Sequence, residues 1–311
     1  MARLSENKII LVTRATRLEE LVARFNTEGQ ARFYVEHLGA DFSDYEAEDR
    51  TYKNSLREVE AQLHEMGRLQ VLDRHFLPNF IFGAEDTVVV LGQDGLVANT
   101  LKYLQEHPVV AINPDPARWD GVLLPFGVQD VSKVVRDVFG NRRKMREITM
   151  ARAELNNGQH LYGVNDLFIG QRTHISARYM VEIGGDSEQQ SSSGIIVSTG
   201  LGSTGWFKSI MAGAMGIGKA LGQSMRADMV GSFAWEANYL YYTVREPFPS
   251  RYSSTQMVFG ELTREKPMRL VSQMPENGVI FSDGIEQDYL EFNSATHAVI
   301  TVAEKKGHLV V

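Results

Sequence analysis

The chain has no cysteine among its 311 residues. Disulfides, thiolate metal sites and a cysteine nucleophile are therefore excluded. No apolar run is long enough to span a bilayer. Internal repeats and low-complexity tracts are also absent. No Gly-x-x-x-x-Gly-Lys-Ser/Thr occurs, which excludes a P-loop, and no Gly-x-Ser-x-Gly elbow marks a hydrolase triad. The eight histidines show no metal-ligand spacing, so no metal site is expected. His64 and His75 lie in charged or turn-like surroundings, and His174 alone follows a polar cluster. Positive charge is not in excess. A formal charge of −7 argues against a nucleic-acid surface spread over the whole protein, although a small basic pocket for phosphates remains compatible with it. The opening residues run straight into a strand-like segment at Lys8, leaving no room for a secretory leader. A cytoplasmic protein is the expectation.

What is present is ordinary for a soluble globular protein, with 43% hydrophobic and 23% charged residues. The length allows two domains with substantial cores. Lys8 to Val12 is a continuous β-type run, as for a parallel strand covered on both faces. Leu18, Leu21, Val22 and Phe25 follow at helical spacing, with Thr16 placed to cap them. An amphipathic helix is expected from about Tyr52 to Arg68, and short strands at Gln70 to Leu72 and Thr87 to Val90. Val97, Leu101 and Leu104 mark one face of another helix, and Val109 to Ile112 a further strand. Val131, Val134, Val135, Val138 and Phe139 give the clearest helical period. Strands alternating with helices imply a Rossmann-like parallel sheet, with ligands at the carboxyl ends of its strands.

The pattern changes near Arg142-Arg143-Lys144, which reads as a solvated helix end or an interdomain link. Beyond it come strand alternations at Ile148 and Met150, at Tyr179, Val181 and Ile183, and at Leu240, Tyr242 and Val244. The expected organisation is an α/β nucleotide- or phosphate-binding domain over residues 1–143. A mainly antiparallel β substrate-binding domain would follow over 144–311, its last strand returning to the first domain.

Three clusters could carry chemistry. Leu91-Gly92-Gln93-Asp94-Gly95 closes a buried strand and opens into a helix. That places the Asp94 carboxylate beside free backbone N–H groups, suited to a phosphate on one side and a hydroxyl to deprotonate on the other. Ser198-Thr199-Gly200-Leu201-Gly202-Ser203-Thr204-Gly205-Trp206 follows a second strand, and its glycines would let the backbone approach a ligand. Gly200, Gly202 and Gly205 have the spacing of a dinucleotide fingerprint, but no β-type run leads into Asp228, where its acidic residue would stand. Trp206 fits either a stacking platform for a base or a core aromatic. Third, Asn165-Asp166 sits in an apolar segment where burial alone explains neither side chain; a polar pair for a base edge and a ribose diol, or a bulge or turn, would account for it. Asp283-Gly284, after Val279 to Phe281, is a fourth candidate that reads more readily as a hairpin turn.

Together and in this order, these clusters resemble the NAD kinase family, within the larger group of Gly-Gly-Asp-Gly kinases. The likeness is nearest to its mitochondrial-type branch and the bacterial relatives termed predicted sugar kinases. It is carried further by Ile10 to Arg14, Ile112 to Pro116, Asn165 to Gly170 and Arg245-Glu246-Pro247, and it extends over essentially the whole chain. The resemblance implies an α/β domain followed by a mostly β domain, with NAD bound between them. It also implies ATP-dependent phosphorylation of the adenosine 2′-hydroxyl, giving NADP.

By the same resemblance Asp94 would assist attack of that hydroxyl, and Gly92 and Gly95 would let the ATP phosphates approach, with Mg²⁺ carried on the nucleotide. Asn165 and Asp166 would bind the adenine and the nicotinamide-side ribose of NAD. Ser203 and Thr204 would hold the adenosine end, with Trp206 beside them. At least a dimer is implied, without nucleic-acid or membrane partners. The chain departs from the family at Gln93 (usually the second glycine), at Leu96 (usually Thr or Ser) and at Ser193 (often an Asp). A kinase of the same fold acting on a sugar, nucleoside or other hydroxyl, or an inactive nucleotide-binding regulator, are the alternatives these departures permit.

Overall fold

The computed structural model describes residues 7–222 and 232–311. The first six residues, on which the reading of a leaderless start rests, lie outside the described residues, as does Asp228. The chain forms two compact units, one holding the residues up to Arg146 together with His308–Val311, the other Glu147–Gly307. No helix among the described residues is long and apolar enough to cross a membrane.

The first unit is built from β1 (Lys8–Thr13), α1 (Arg17–Phe25), α2 (Glu28–His37), α3 (Ser43–Met66), β2 (Arg68–Asp73), β3 (Thr87–Leu91), α4 (Asp94–Leu101), β4 (Pro108–Asn113), β5 (Phe126–Gly127) and α5 (Val131–Phe139). Its strands pair in parallel in the order β2-β1-β3-β4-β5. Ile9, Leu11, Val89, Leu91, Val110 and Ile112 are fully buried against Val59 and Leu63 of α3 and Val131, Val134 and Val135 of α5. Each such side chain is worth about 1.5–3 kcal/mol in area removed from water, which is why these strands read as unbroken apolar runs.

Helix boundaries differ from the sequence reading in three places. The helix expected from Tyr52 already starts at Ser43, because Tyr52 and Glu48 are buried members of the same helix. Leu104, expected on the face of α4, lies beyond its last residue and is buried there in a turn. α2 has no counterpart in the expected pattern. It starts at the Thr27 cap, whose side chain accepts from the Gln30 N–H, and buries only Ala31 and Val35. Arg142 and Arg143, just past the end of α5, both pair with Asp137 of that helix.

The second unit comprises β6 (Met145–Leu155), β7 (His160–Gly163), β8 (Asp166–Gln171), β9 (Ala177–Ile183), β10 (Asp186–Ser192), β11 (Ile195–Ser198), α6 (Trp206–Ala220), β12 (Leu240–Val244), β13 (Phe259–Leu262), β14 (Met268–Ser272), β15 (Gly278–Ser282), β16 (Ile285–Glu291) and β17 (His297–Val310). One antiparallel sheet runs β13-β12-β11-β8-β15-β16. β10, β9, β14 and β17 pair antiparallel in the facing sheet. Leu167, Ile169, Ile195, Val197 and Ile280 from the one meet Tyr179, Val181, Leu270 and Ile300 from the other. Strict alternation along β9 marks a sheet solvated on its outer side. The final residues of β17 join the first unit, where His308 and Leu309 pair in parallel with Pro108 and Val109 of β4. An α/β domain followed by a mainly antiparallel β domain is the fold class expected from the sequence.

Candidate functional site

In the first unit, β3 ends in full burial and the chain turns at once into α4. The Gly92 N–H donates to the Ile112 carbonyl at 3.3 Å, keeping the turn in register with β4. A Cβ at Gly92 would lie 2.7 Å from Leu96 Cδ2, so the leucine in the family's Thr or Ser position closes over this glycine. Gln93 is the N-cap residue but makes no capping bond through its side chain. Asp94 opens the helix, where the free N–H groups and the helix dipole favour a negative charge. Its Oδ1 accepts from the Leu123 N–H at 2.7 Å, which fixes the carboxylate while Oδ2 has no partner among the described residues. Gly95 is exposed with nothing near its Cβ direction, leaving the space a phosphate would need. Below the turn, the buried Tyr52 hydroxyl donates to the Leu91 carbonyl at 3.0 Å and accepts from the Arg14 N–H at 3.1 Å.

In the second unit, Asn165 lies in the bend between β7 and β8, and Asp166 is the first residue of β8. What holds the bend is Asp283, at φ 56° in the turn between β15 and β16. Its carboxylate accepts from the backbone N–H groups of Val164 (3.0 Å), Asn165 (2.6 Å) and, at longer range, Asp166 (3.4 Å). Asp166 is 7% exposed. Burial, reinforced by the charge of Asp283, pushes its carboxyl up to about 7. The Asn165 side chain is half-buried and makes no hydrogen bond among the described residues, leaving it free for a ligand.

The glycine-rich segment packs on this bend. A Cβ at Gly202 would sit 1.9 Å from the Asn165 carbonyl oxygen, and one at Gly200 1.9 Å from that of Ala234. These two glycines therefore admit the protein's own backbone rather than a ligand. Thr199 Oγ1 donates to the Val164 carbonyl at 2.6 Å, and the Thr199 N–H to that of Asn165 at 3.0 Å. Ser203 is buried, its hydroxyl donating to the Gly200 carbonyl at 2.6 Å and accepting from the Phe233 N–H at 3.3 Å. Thr204 is exposed. Trp206 starts α6 and stacks on Phe168 at 5.8 Å with rings within 7° of parallel. The Arg245 guanidinium lies 5.4 Å from its ring centre. Both line a cavity of about 290 Å³ with Arg172, His174, Ser193 and Tyr289.

Asn165, Asp166, Ser203, Thr204 and Trp206 thus belong to one region of the second unit, while Gly92, Asp94 and Gly95 form the turn of the first. Arg172 is not among the candidates from the sequence, and Asp283 enters there only as a fourth candidate that reads as a hairpin turn. Asp283-Gly284 carries only a local turn signal, and its partners lie 117–119 positions away in sequence. Arg172 carries no signal of its own. Among the described residues no group of three or more His, Asp or Glu is arranged to hold a metal ion.

These features define a class: an α/β unit whose Gly-x-Asp-Gly turn ends a buried parallel strand, followed by an antiparallel β unit with one buried and one half-buried carboxylate at a strand bend. The chain has the NAD kinase-like fold. It is similar to yeast NADH kinase, solved with NADH, at TM-score 0.61 and 16% identity, over 99% of this chain and 84% of that one. It is also similar to an NAD kinase from Archaeoglobus fulgidus, solved with ATP, at TM-score 0.55 and 14% identity, over 98% of this chain and 93% of that one. No protein-family model and no curated protein matches the sequence.

Proposed function

We propose that the protein is an ATP-dependent kinase that phosphorylates the adenosine 2′-hydroxyl of NAD to give NADP. The observation that supports this best is Asp94, anchored through one carboxylate oxygen with the other free, at the start of a helix in a chain with this fold. Phosphoryl transfer asks mainly for positioning and charge neutralisation. In this reading Asp94 orients the hydroxyl and accepts its proton as the 2′-oxygen bonds to the γ-phosphorus. The bond from that phosphorus to the bridging oxygen breaks, and ADP leaves with the electron pair. Mg²⁺ arrives on the nucleotide and offsets charge on the phosphates.

Asn165 and Asp166 take polar groups of NAD, with Thr204 and Trp206 at its adenosine end. Trp206 keeps one face on Phe168, so it offers at most its other face to a ring. Ser203, whose hydroxyl is already engaged, contributes by holding the segment. On the same reading the chain assembles at least as a dimer, which light scattering measures. The decisive assay supplies purified protein with Mg-ATP and NAD, NADH or a panel of sugars. NADP formation that Asp94→Asn abolishes is the expected result. NAD binding without any consumption of ATP would refute the kinase reading.

A further inference from the structure

We propose that Asp283 is a positioning residue of the acceptor site, and that its pairing with Asp166 makes binding of a ribose diol release a proton. This rests on the reading in which Asp166 takes polar groups of NAD, and it gives a task to a residue outside that reading.

The backbone of the Val164–Asp166 bend is fully used inside the protein. The Asp283 carboxylate accepts from the N–H groups of all three residues, and the Asp283 N–H donates to the Asp166 carbonyl at 3.1 Å. Thr199 takes the two remaining carbonyls, that of Val164 through its hydroxyl and that of Asn165 through its N–H. Every N–H and C=O of three consecutive residues is thus engaged. Such a bend offers a ligand only its side chains, and Asp283 and Thr199 fix where these stand.

Asp166 supplies the second observation. It is 7% exposed, yet its carboxyl makes no hydrogen bond among the described residues. A buried carboxyl without donors is a costly arrangement unless a ligand brings them. Burial, and after it the charge of Asp283, keeps the proton on this group up to about pH 7. Among the described residues no other charge bears on it, His160 of β7 and Arg172 beyond β8 included. β11 sets Ser198 opposite Asp166, and the glycine-rich segment brings only the hydroxyls of Thr199 and Ser203 near the bend.

A vicinal diol brings two O–H donors. An ionised carboxylate accepts both, through charge-assisted bonds roughly twice as strong as neutral ones, whereas a carboxylic acid has one oxygen occupied by its own proton. The diol therefore favours the ionised form of Asp166. Below pH 7 its binding must transfer the Asp166 proton to solvent, and the charge of Asp283 helps to set where that requirement begins. Asp283 itself stands at φ 56°, a conformation that Asn tolerates nearly as well as Asp and that glycine adopts freely. Substitutions to these two residues consequently change its carboxylate without straining the turn.

The test is calorimetric titration of the full chain with NAD from pH 5.5 to 8.5, in buffers of different ionisation enthalpy, with steady-state kinetics alongside. Wild-type Kd should rise by up to about tenfold for each pH unit below 7 and level off above it, with about one proton released at the acid end. Asp283→Asn keeps an acceptor oxygen for the bend but loses the charge. It should bind NAD nearly as wild type does at pH 8.5, with the break in the profile moved to lower pH. Asp283→Gly loses the acceptor and should raise the KM for NAD by about tenfold or more, leaving that for ATP unchanged. Asp166→Asn should abolish proton release. The proposal falls if wild-type affinity is flat with pH, if no proton is released, or if Asp283→Asn leaves the break in place; the last two hold even if Asp283→Gly does not fold. Wild type that binds NAD at no pH refutes both this and the kinase reading. Proton-linked binding in a protein that never consumes ATP would refute the kinase reading alone. NADP formation by Asp283→Gly with an unchanged KM for NAD would refute the role of Asp283 alone.

Discussion

Asp166 provides a quantitative test of how the second unit is held together. Its carboxyl titrates near 3.8 when exposed and is pushed up to about 7 in the folded chain, first by burial and then by the charge of Asp283. Below pH 3.8 folded and unfolded chains both carry the proton, and the group makes no difference to stability. Between 3.8 and 7 the unfolded chain loses the proton while the folded chain keeps it, so stability falls as pH rises. Each pH unit in that window costs about 1.36 kcal/mol, and the gap of about three units amounts to about 4 kcal/mol. Above 7 both forms are ionised and the cost is constant.

Asp166→Asn keeps the shape and removes the titration. Urea unfolding of wild type and variant, run in parallel from pH 4 to 8.5, isolates this group from all others. The variant should gain on wild type by about 1.4 kcal/mol per pH unit up to pH 7 and then level off. A difference that stays flat across the range would refute the reasoning, because Asp166 would then ionise in the fold as freely as in water.

Gly202→Ala and Gly200→Ala each drive a Cβ to 1.9 Å from a backbone oxygen, and should cost about 3 kcal/mol, read as a fall in Tm of about 6–12 °C in thermal unfolding. Gly95→Ala meets no neighbouring atom and should leave Tm unchanged or slightly raised, while weakening ATP binding in titration. Tyr52→Phe leaves the Leu91 carbonyl without its donor and the Arg14 N–H without its acceptor, and should cost about 1–3 kcal/mol in urea unfolding. Asp94→Asn should lower phosphoryl transfer by about 10²–10⁴-fold with ATP affinity retained, as measured by steady-state kinetics and titration.

The parallel strands were legible because burial on both faces writes itself as continuous apolar residues, as in Val88 to Leu91. The Asp94 turn was legible for the same reason, since it interrupts such a run. α2 was not, because a helix burying only Ala31 and Val35 leaves almost no period to detect. The glycines near Trp206 were noticed, but their partners are the backbone of Asn165 and Ala234, and contact between distant segments has no local trace. Asp283 shows the same limit. Its dipeptide announces a turn, whereas the cradle of N–H groups around its carboxylate is a product of the fold.

The outer edge of β4 is shared between two segments far apart in sequence. β5 pairs with Ile112 and Asn113, and the end of β17 pairs with Pro108 and Val109. During synthesis the part of that edge formed by β17 must wait until the whole of residues 114–307 has been made. Until then the α/β unit carries an open strand edge, a template on which other chains can pair. Val310, fully buried in the core of that unit, closes the gap only on arrival. Ribosome-bound intermediates stalled before residue 308 should therefore be the form most dependent on chaperones.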